Sequence, residues 1–163
     1  MALLCHRATT DPKHLVALGY SLVEALVVLA LMMTLSAIAI PMISQGIDKA
    51  NNSSATSDID SIAAQLLTYE VEFGHLPDSL DEIMSPVPRD PWGNEYQYLR
   101  IRGGSEPRGH WRKDRFLVPL NSDFDLYSLG PDGQSSPPLT ASASRDDIIR
   151  AGDGSYIGAA EDY

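Results

Sequence analysis

Residues Gly19-Tyr20-Ser21-Leu22-Val23-Glu24 place a carboxylate near the start of an apolar run that reaches Ile43 with no other charge. An ionised side chain at the centre of a bilayer costs roughly 2.5–3.5 kcal/mol on insertion scales, so a carboxylate kept within such a run calls for a functional reason. The chemistry open to it is pairing. An opposite charge at about 4 Å recovers roughly 4 kcal/mol at an effective dielectric of about 20. The plainer reading is that Glu24 snorkels to the headgroups near the helix end.

Few other residues have the types or spacing for chemistry. After Gly19 only His75 and His110 remain among the histidines, neither beside another metal-type or nucleophile signature. There is no Gly-rich phosphate loop and no cysteine nucleophile, so the sequence does not read as an enzyme. Cys5 is the only cysteine, which excludes an internal disulfide. Arg108, Arg112, Lys113 and Arg115 surround His110 and Trp111 in the polar stretch 103–115. That cluster reads as a solvated surface loop, or alternatively as a docking patch for an acidic partner.

The elements that must position Glu24 follow from length. From Tyr20 to Ile43 the polar residues are Ser21, Glu24, Thr34 and Ser36. About 20 apolar residues in a helix cross a hydrocarbon core of about 30 Å, so residues 20–43 read as a membrane span. A secretory signal peptide fits less well, although Ser36-Ala37-Ile38-Ala39 offers a faint small-x-small site. Arg7 and Lys13 against Asp11 make the leader 1–19 positive by one, which leaves −11 for the rest of a chain whose total is −10. The asymmetry favours a cytoplasmic leader and a translocated acidic body, and such a body is a poor nucleic-acid partner. Pro41 either kinks or locally melts the helix, or marks its end at the membrane exit with the nearby Gly46.

Beyond the span the pattern becomes amphipathic. Ile59, Ile62, Ala63, Leu66, Leu67 and Phe73 recur at helical spacing, so a helix over 44–73 continues with an apolar stripe to be covered. Asn51-Asn52-Ser53-Ser54 is a stretch of poor helix formers where it would fray or bend. Gly74 is a natural stop, and a short helix over 79–84, capped by Asp78 or Ser79, should follow. Strands are expected over 95–101, 116–120 and 123–129. In the first, Tyr96, Tyr98 and Arg100 point one way and Gln97, Leu99 and Ile101 the other; in the last, Phe124, Leu126 and Tyr127 pack.

Residues 19–24 resemble the processing site of type IV pilins and their relatives, in which a membrane peptidase cuts after the glycine and methylates the new amino terminus. The resemblance implies cleavage by a prepilin peptidase after Gly19, Tyr20 as the first mature residue and Glu24 as the fifth. Pro41 falls where pilin-family helices carry a proline. The new amine at Tyr20 would then be the partner that Glu24 of a neighbouring subunit needs, setting register during polymerisation.

Asp90-Pro91-Trp92-Gly93-Asn94 with Tyr96-Gln97-Tyr98, followed by Asp123-Phe124-Asp125-Leu126-Tyr127-Ser128-Leu129-Gly130 and Asp132-Gly133-Gln134, resembles the major pseudopilin, the G type, of type II secretion systems. What this implies is an α+β, type IV pilin-like fold: a long N-terminal helix packed on a small three-stranded antiparallel sheet with a calcium-binding loop. The periplasmic domain would be 44–163, with its sheet over 95–129 and the loop and tail over 130–163. The implied calcium ligands are Asp132, the Asp146-Asp147 pair and the carbonyl of Leu129. The implied role is a subunit of a periplasmic pseudopilus anchored in the bacterial inner membrane. Its partners would be further copies of itself, minor pseudopilins, the inner-membrane assembly platform and the peptidase. The alternative is a minor type IV pilin-like subunit in adhesion or pilus assembly. Three features depart from the family pattern, the first being the leader, whose Leu15-Val16-Ala17-Leu18 is apolar where related leaders are usually basic. The loop runs Ser135-Ser136-Pro137-Pro138-Leu139 where glycines are usual, and the tail 149–163 continues past the usual end. That tail would shield the loop, cover the sheet edge or mark a specialised pilin.

Overall fold

The computed structural model describes residues 20–163; the leader, including Gly19, lies outside the described residues. Two compact units divide between Met42 and Ile43. Helix α1, Leu22–Phe73, runs through the division and through the Asn51–Ser54 stretch, where a bend was expected. Tertiary packing outweighs the weak propensity there, because Ala55 and Ile59, next along the same helix, are completely buried. Ala55, Ile59, Ile62, Ala63 and Leu66 form the covered stripe. Leu67 and Phe73 stay exposed, so the stripe is narrower than the sequence suggests. Gly74 ends the helix as expected: its φ is +78°, and its N–H donates to the Glu70 carbonyl at 2.8 Å. A single 3₁₀ turn, Leu80–Glu82, replaces the expected short helix, with Glu82 accepting the N–H groups of Asp78 and Ser79.

Four antiparallel strands follow in the order β1 (Gln97–Arg100), β2 (Phe124–Ser128), β3 (Ile148–Ala151) and β4 (Tyr156–Ala159). β1 and β2 are the first and last strands expected. Tyr96, Tyr98 and Arg100 do share one face: their side chains reach Asp58 at 2.8 Å, the Pro77 carbonyl at 2.8 Å and the Leu76 carbonyl at 2.9 Å. The three-stranded expectation needs correcting in two places. Residues 116–120 form no strand; Phe116, Leu117 and Val118 are exposed, and Pro119 lacks the N–H a ladder needs. β3 and β4 come instead from the tail, so the tail covers the edge of β2, one of the three roles considered for it.

Alternation along β2 and β3 creates two cores. Phe124, Leu126 and Ile148 face α1 and join Ile59, Ile62, Leu66 and Tyr96. Ile149 and Ala151 face the other way and join Leu120, Leu139 and Ala160, with Tyr127 and Tyr156 packed alongside. The second core exists only because the loop and tail fold over that face.

Candidate functional site

Two places answer to the residues singled out in the sequence. One is the first part of α1. It is the single helix among the described residues long and apolar enough to cross a membrane. Its side chains from Leu22 to Ile43, wherever described, are exposed, in contrast to the covered stripe at 55–66. The Glu24 N–H donates to Ser21 Oγ at 3.3 Å, and among the described residues Glu24 enters no ion pair. Tyr20 is 85% exposed. Pro41 lies within the helix and does not end it. Among the described residues the carboxylate thus sits on an exposed apolar stretch of α1.

The other is the loop between β2 and β3, which the structure ties down with an arginine. Arg112, read in the sequence as part of a solvated or partner-facing loop, is 2% exposed. Its backbone N–H donates to Asp125 Oδ2 at 2.7 Å, and Asn121 Nδ2 satisfies the other oxygen at 2.9 Å. Asp125 and Tyr127 lie on the β2 face away from α1, and the Arg112 guanidinium sits 4.2 Å from the Tyr127 ring centre. The guanidinium donates to Asp147 Oδ2 at 2.5 Å, to the Ser136 carbonyl at 2.9 Å and to Ser135 Oγ. Ser135 Oγ in turn donates to Asp147 Oδ2 at 2.5 Å. Burial pushes the Asp147 carboxyl up from the usual carboxylate range, and the Ser135 hydroxyl and the guanidinium oppose that rise. Of the remaining cluster, Arg108 stacks on Trp111 and His110 meets Glu106 at 3.0 Å, both at the surface.

The predicted calcium ligands can be tested against this arrangement. Calcium takes six to eight oxygens at about 2.3–2.6 Å. Asp132 is exposed and uses Oδ1 to accept the Gln134 N–H at 2.7 Å; Asp146 Oδ2 faces the Asp132 N–H at 3.2 Å. Asp147 is fully buried on its arginine. Among the described residues no three acidic, histidine or cysteine side chains converge as a metal would require. Asp147 Oδ1 is buried without a partner, but so is Arg112 Nε of the same pair. A divalent ion at Asp147 would meet the guanidinium already 2.5 Å from that carboxylate, and like unit charges at about 4 Å repel by roughly 4 kcal/mol even at a dielectric of about 20. Asp132, Asp146 and Asp147, as arranged, do not fit calcium.

Sequence reasoning missed a second buried pair that fastens the tail. Arg150 on β3 donates to both oxygens of Asp123 at 2.8 and 2.7 Å, and its guanidinium lies 4.1 Å from the Phe124 ring centre. The signal that could have found it is the placing of Asp123 and Asp125 about a core phenylalanine, since buried carboxylates need partners.

A model of the family described as "Type II secretion system (T2SS), protein G" matches residues 42–142. The matched stretch includes β1 and β2 and stops before Asp146 and Asp147. Among individual proteins, the chain is 30% identical over 137 residues to "Type II secretion system core protein G" of Pseudomonas aeruginosa, covering 71% of this chain and 84% of that one. It is 26% identical over 141 residues to the protein of that name in Xanthomonas campestris pv. campestris, covering 77% and 87%. The corresponding protein of Escherichia coli K12 is 26% identical over 137 residues, covering 71% and 83%.

Proposed function

The chain belongs to the type II secretion system protein G family, and from that premise we propose that it is a structural subunit of a secretion pseudopilus rather than an enzyme. The observation that carries this reading is the contrast along α1. The 55–66 stripe is covered by the chain's own sheet, whereas the described apolar side chains before Ile43 are exposed. Exposed apolar surface of that extent marks a lipid or protein partner. A bilayer covers it before assembly, and identical helices cover it in a fibre. The membrane is the bacterial inner membrane, with residues 44–163 in the periplasm, and minor pseudopilins and the inner-membrane assembly platform are the further partners.

Glu24 gives that packing its register. Prepilin peptidase cleaves after Gly19 and leaves a charged amine at Tyr20; the Glu24 carboxylate of a neighbouring subunit neutralises it in a low-dielectric layer. A helix shifted along its neighbour leaves both charges unpaired, so the pair disfavours every other register. In cells carrying the secretion apparatus, Glu24→Ala should leave membrane insertion and processing intact while abolishing recovery of fibres. Intact mass and N-terminal sequencing check the processing step. Fibres formed by the variant at wild-type yield would remove Glu24 from assembly, and an unprocessed wild-type chain would remove the pseudopilin reading itself.

A further inference from the structure

We propose that the Arg112 guanidinium occupies the place of a metal cation in the loop between β2 and β3, so that the loop is closed by an internal ion pair and keeps its order without calcium. A cation in such a loop has two tasks, to neutralise buried carboxylate and to hold distant parts of the chain to one centre. Arg112 performs both. It neutralises Asp147, which is wholly buried, and from one planar group it binds the start of the loop at Ser135 and Ser136 and the end of the loop at Asp147. A guanidinium is always charged and carries its donors in a fixed fork, which suits several oxygen acceptors at once.

The surrounding chain is built to present this arginine. Asp125 holds its backbone and Tyr127 supports its guanidinium, both from β2. The neighbouring Lys113 donates its N–H to the Pro137 carbonyl at 3.0 Å and accepts from the Leu139 N–H at 2.9 Å, so the proline-containing loop pairs directly with the arginine's own segment. Ser144 closes the neck: its hydroxyl accepts the Ser136 N–H at 2.8 Å and donates to the Ser136 carbonyl at 2.7 Å. The loop's departure from the family pattern therefore forms one device. Ser135 accepts from the guanidinium, the Ser136 and Pro137 carbonyls accept from the Arg112–Lys113 segment, and Asp147 is engaged.

The test uses the full-length chain in detergent micelles, with unfolding followed by the fluorescence of Trp92 and Trp111. The expected result is the same melting midpoint in millimolar calcium chloride and in millimolar EDTA, with no calcium uptake by titration calorimetry. Arg112→Met should lower the midpoint by roughly 12–20 °C, because one partner of a buried pair is left charged. Adding Asp147→Asn to Arg112→Met should recover more than half of that loss. A wild-type midpoint that rises by several degrees in calcium and saturates at one ion per chain would overturn the proposal, as would an Arg112→Met chain as stable as wild type. Should Arg112→Met fail to fold, the wild-type comparison still decides.

Discussion

Arg150 offers the sharpest test of how the tail is held. Replacing it with Met removes two charge-assisted bonds to Asp123, at 2.8 and 2.7 Å, and a weaker one to the Phe124 carbonyl at 3.3 Å, while leaving an aliphatic chain over the Phe124 ring. Both partners are almost fully buried, with side-chain exposures of 2% and 7%, so solvent does little to screen the loss. Breaking a buried pair from one side costs about 3–5 kcal/mol, chiefly because the remaining charge is uncompensated. For a unit of this size 1 kcal/mol corresponds to about 4 °C, which predicts a fall of roughly 12–20 °C in melting midpoint. Trp92 packs against the core that contains Phe124 and reports the transition by fluorescence without interference from the membrane helix. The double change Arg150→Met with Asp123→Asn removes the stranded charge, keeps an acceptor for the Phe124 N–H at 2.6 Å, and should recover most of the loss. A single variant within about 1 kcal/mol of wild type would refute the reasoning, since a buried carboxylate without its partner cannot be that cheap. So would a double variant no better than the single.

Two further predictions test the loop and the buried carboxylates. Gly130→Ala should destabilise the chain by more than about 2 kcal/mol, because its φ is +63° and a Cβ would fall 2.3 Å from the Asp146 carbonyl oxygen; a thermal midpoint near wild type would contradict that close approach. Burial pushes the Asp125 carboxyl up, against the opposing bonds from the Arg112 N–H and Asn121. Its folded form therefore holds a proton that the unfolded chain releases between the ordinary Asp value of about 3.9 and the raised one, and its contribution to stability falls as pH rises through that window. The midpoint deficit of Asp125→Asn should accordingly shrink from about pH 4 to about pH 7, and a deficit that is constant or grows would reverse the sign.

Local pattern exposed what was local. The Ile59–Leu66 stripe, the Gly74 stop and the alternation about Phe124 and Leu126 each announce themselves within a few residues, and each has its expected place. The run Phe116-Leu117-Val118 looks equally strand-like but is ambiguous at that length, and Pro119 ends any ladder. β3 hides for the opposite reason. Ile148, Ile149, Arg150 and Ala151 are all buried, so no polar face betrays a strand, and an arginine in the middle looks like a surface residue. Arg112 hides among basic neighbours. Arginines are rarely buried unless paired, and the partner of this one lies 35 residues away in the sequence, beyond any periodicity. In the arrangement proposed above that same residue takes the place expected for calcium, since resemblance transfers acidic positions without showing the guanidinium beside one of them.

Charge then separates what the two parts of a fibre subunit contribute. The chain carries −10, and the Arg112–Asp147 and Arg150–Asp123 pairs are neutral and internal, so the surplus of acid lies outside those pairs, much of it on exposed side chains such as Asp132, Glu161 and Asp162. Identical heads in the proposed fibre repel one another, and salt weakens that repulsion beyond a Debye length of about 8 Å at physiological ionic strength. The heads therefore oppose assembly in that fibre, and its driving force has to come from the exposed apolar part of α1. The proposed Glu24 pair would lie in that apolar layer, where counterions do not reach. Raising the salt should accordingly favour fibre formation by relieving the heads while leaving the subunit register unchanged, since the contact that sets register is the one salt cannot screen.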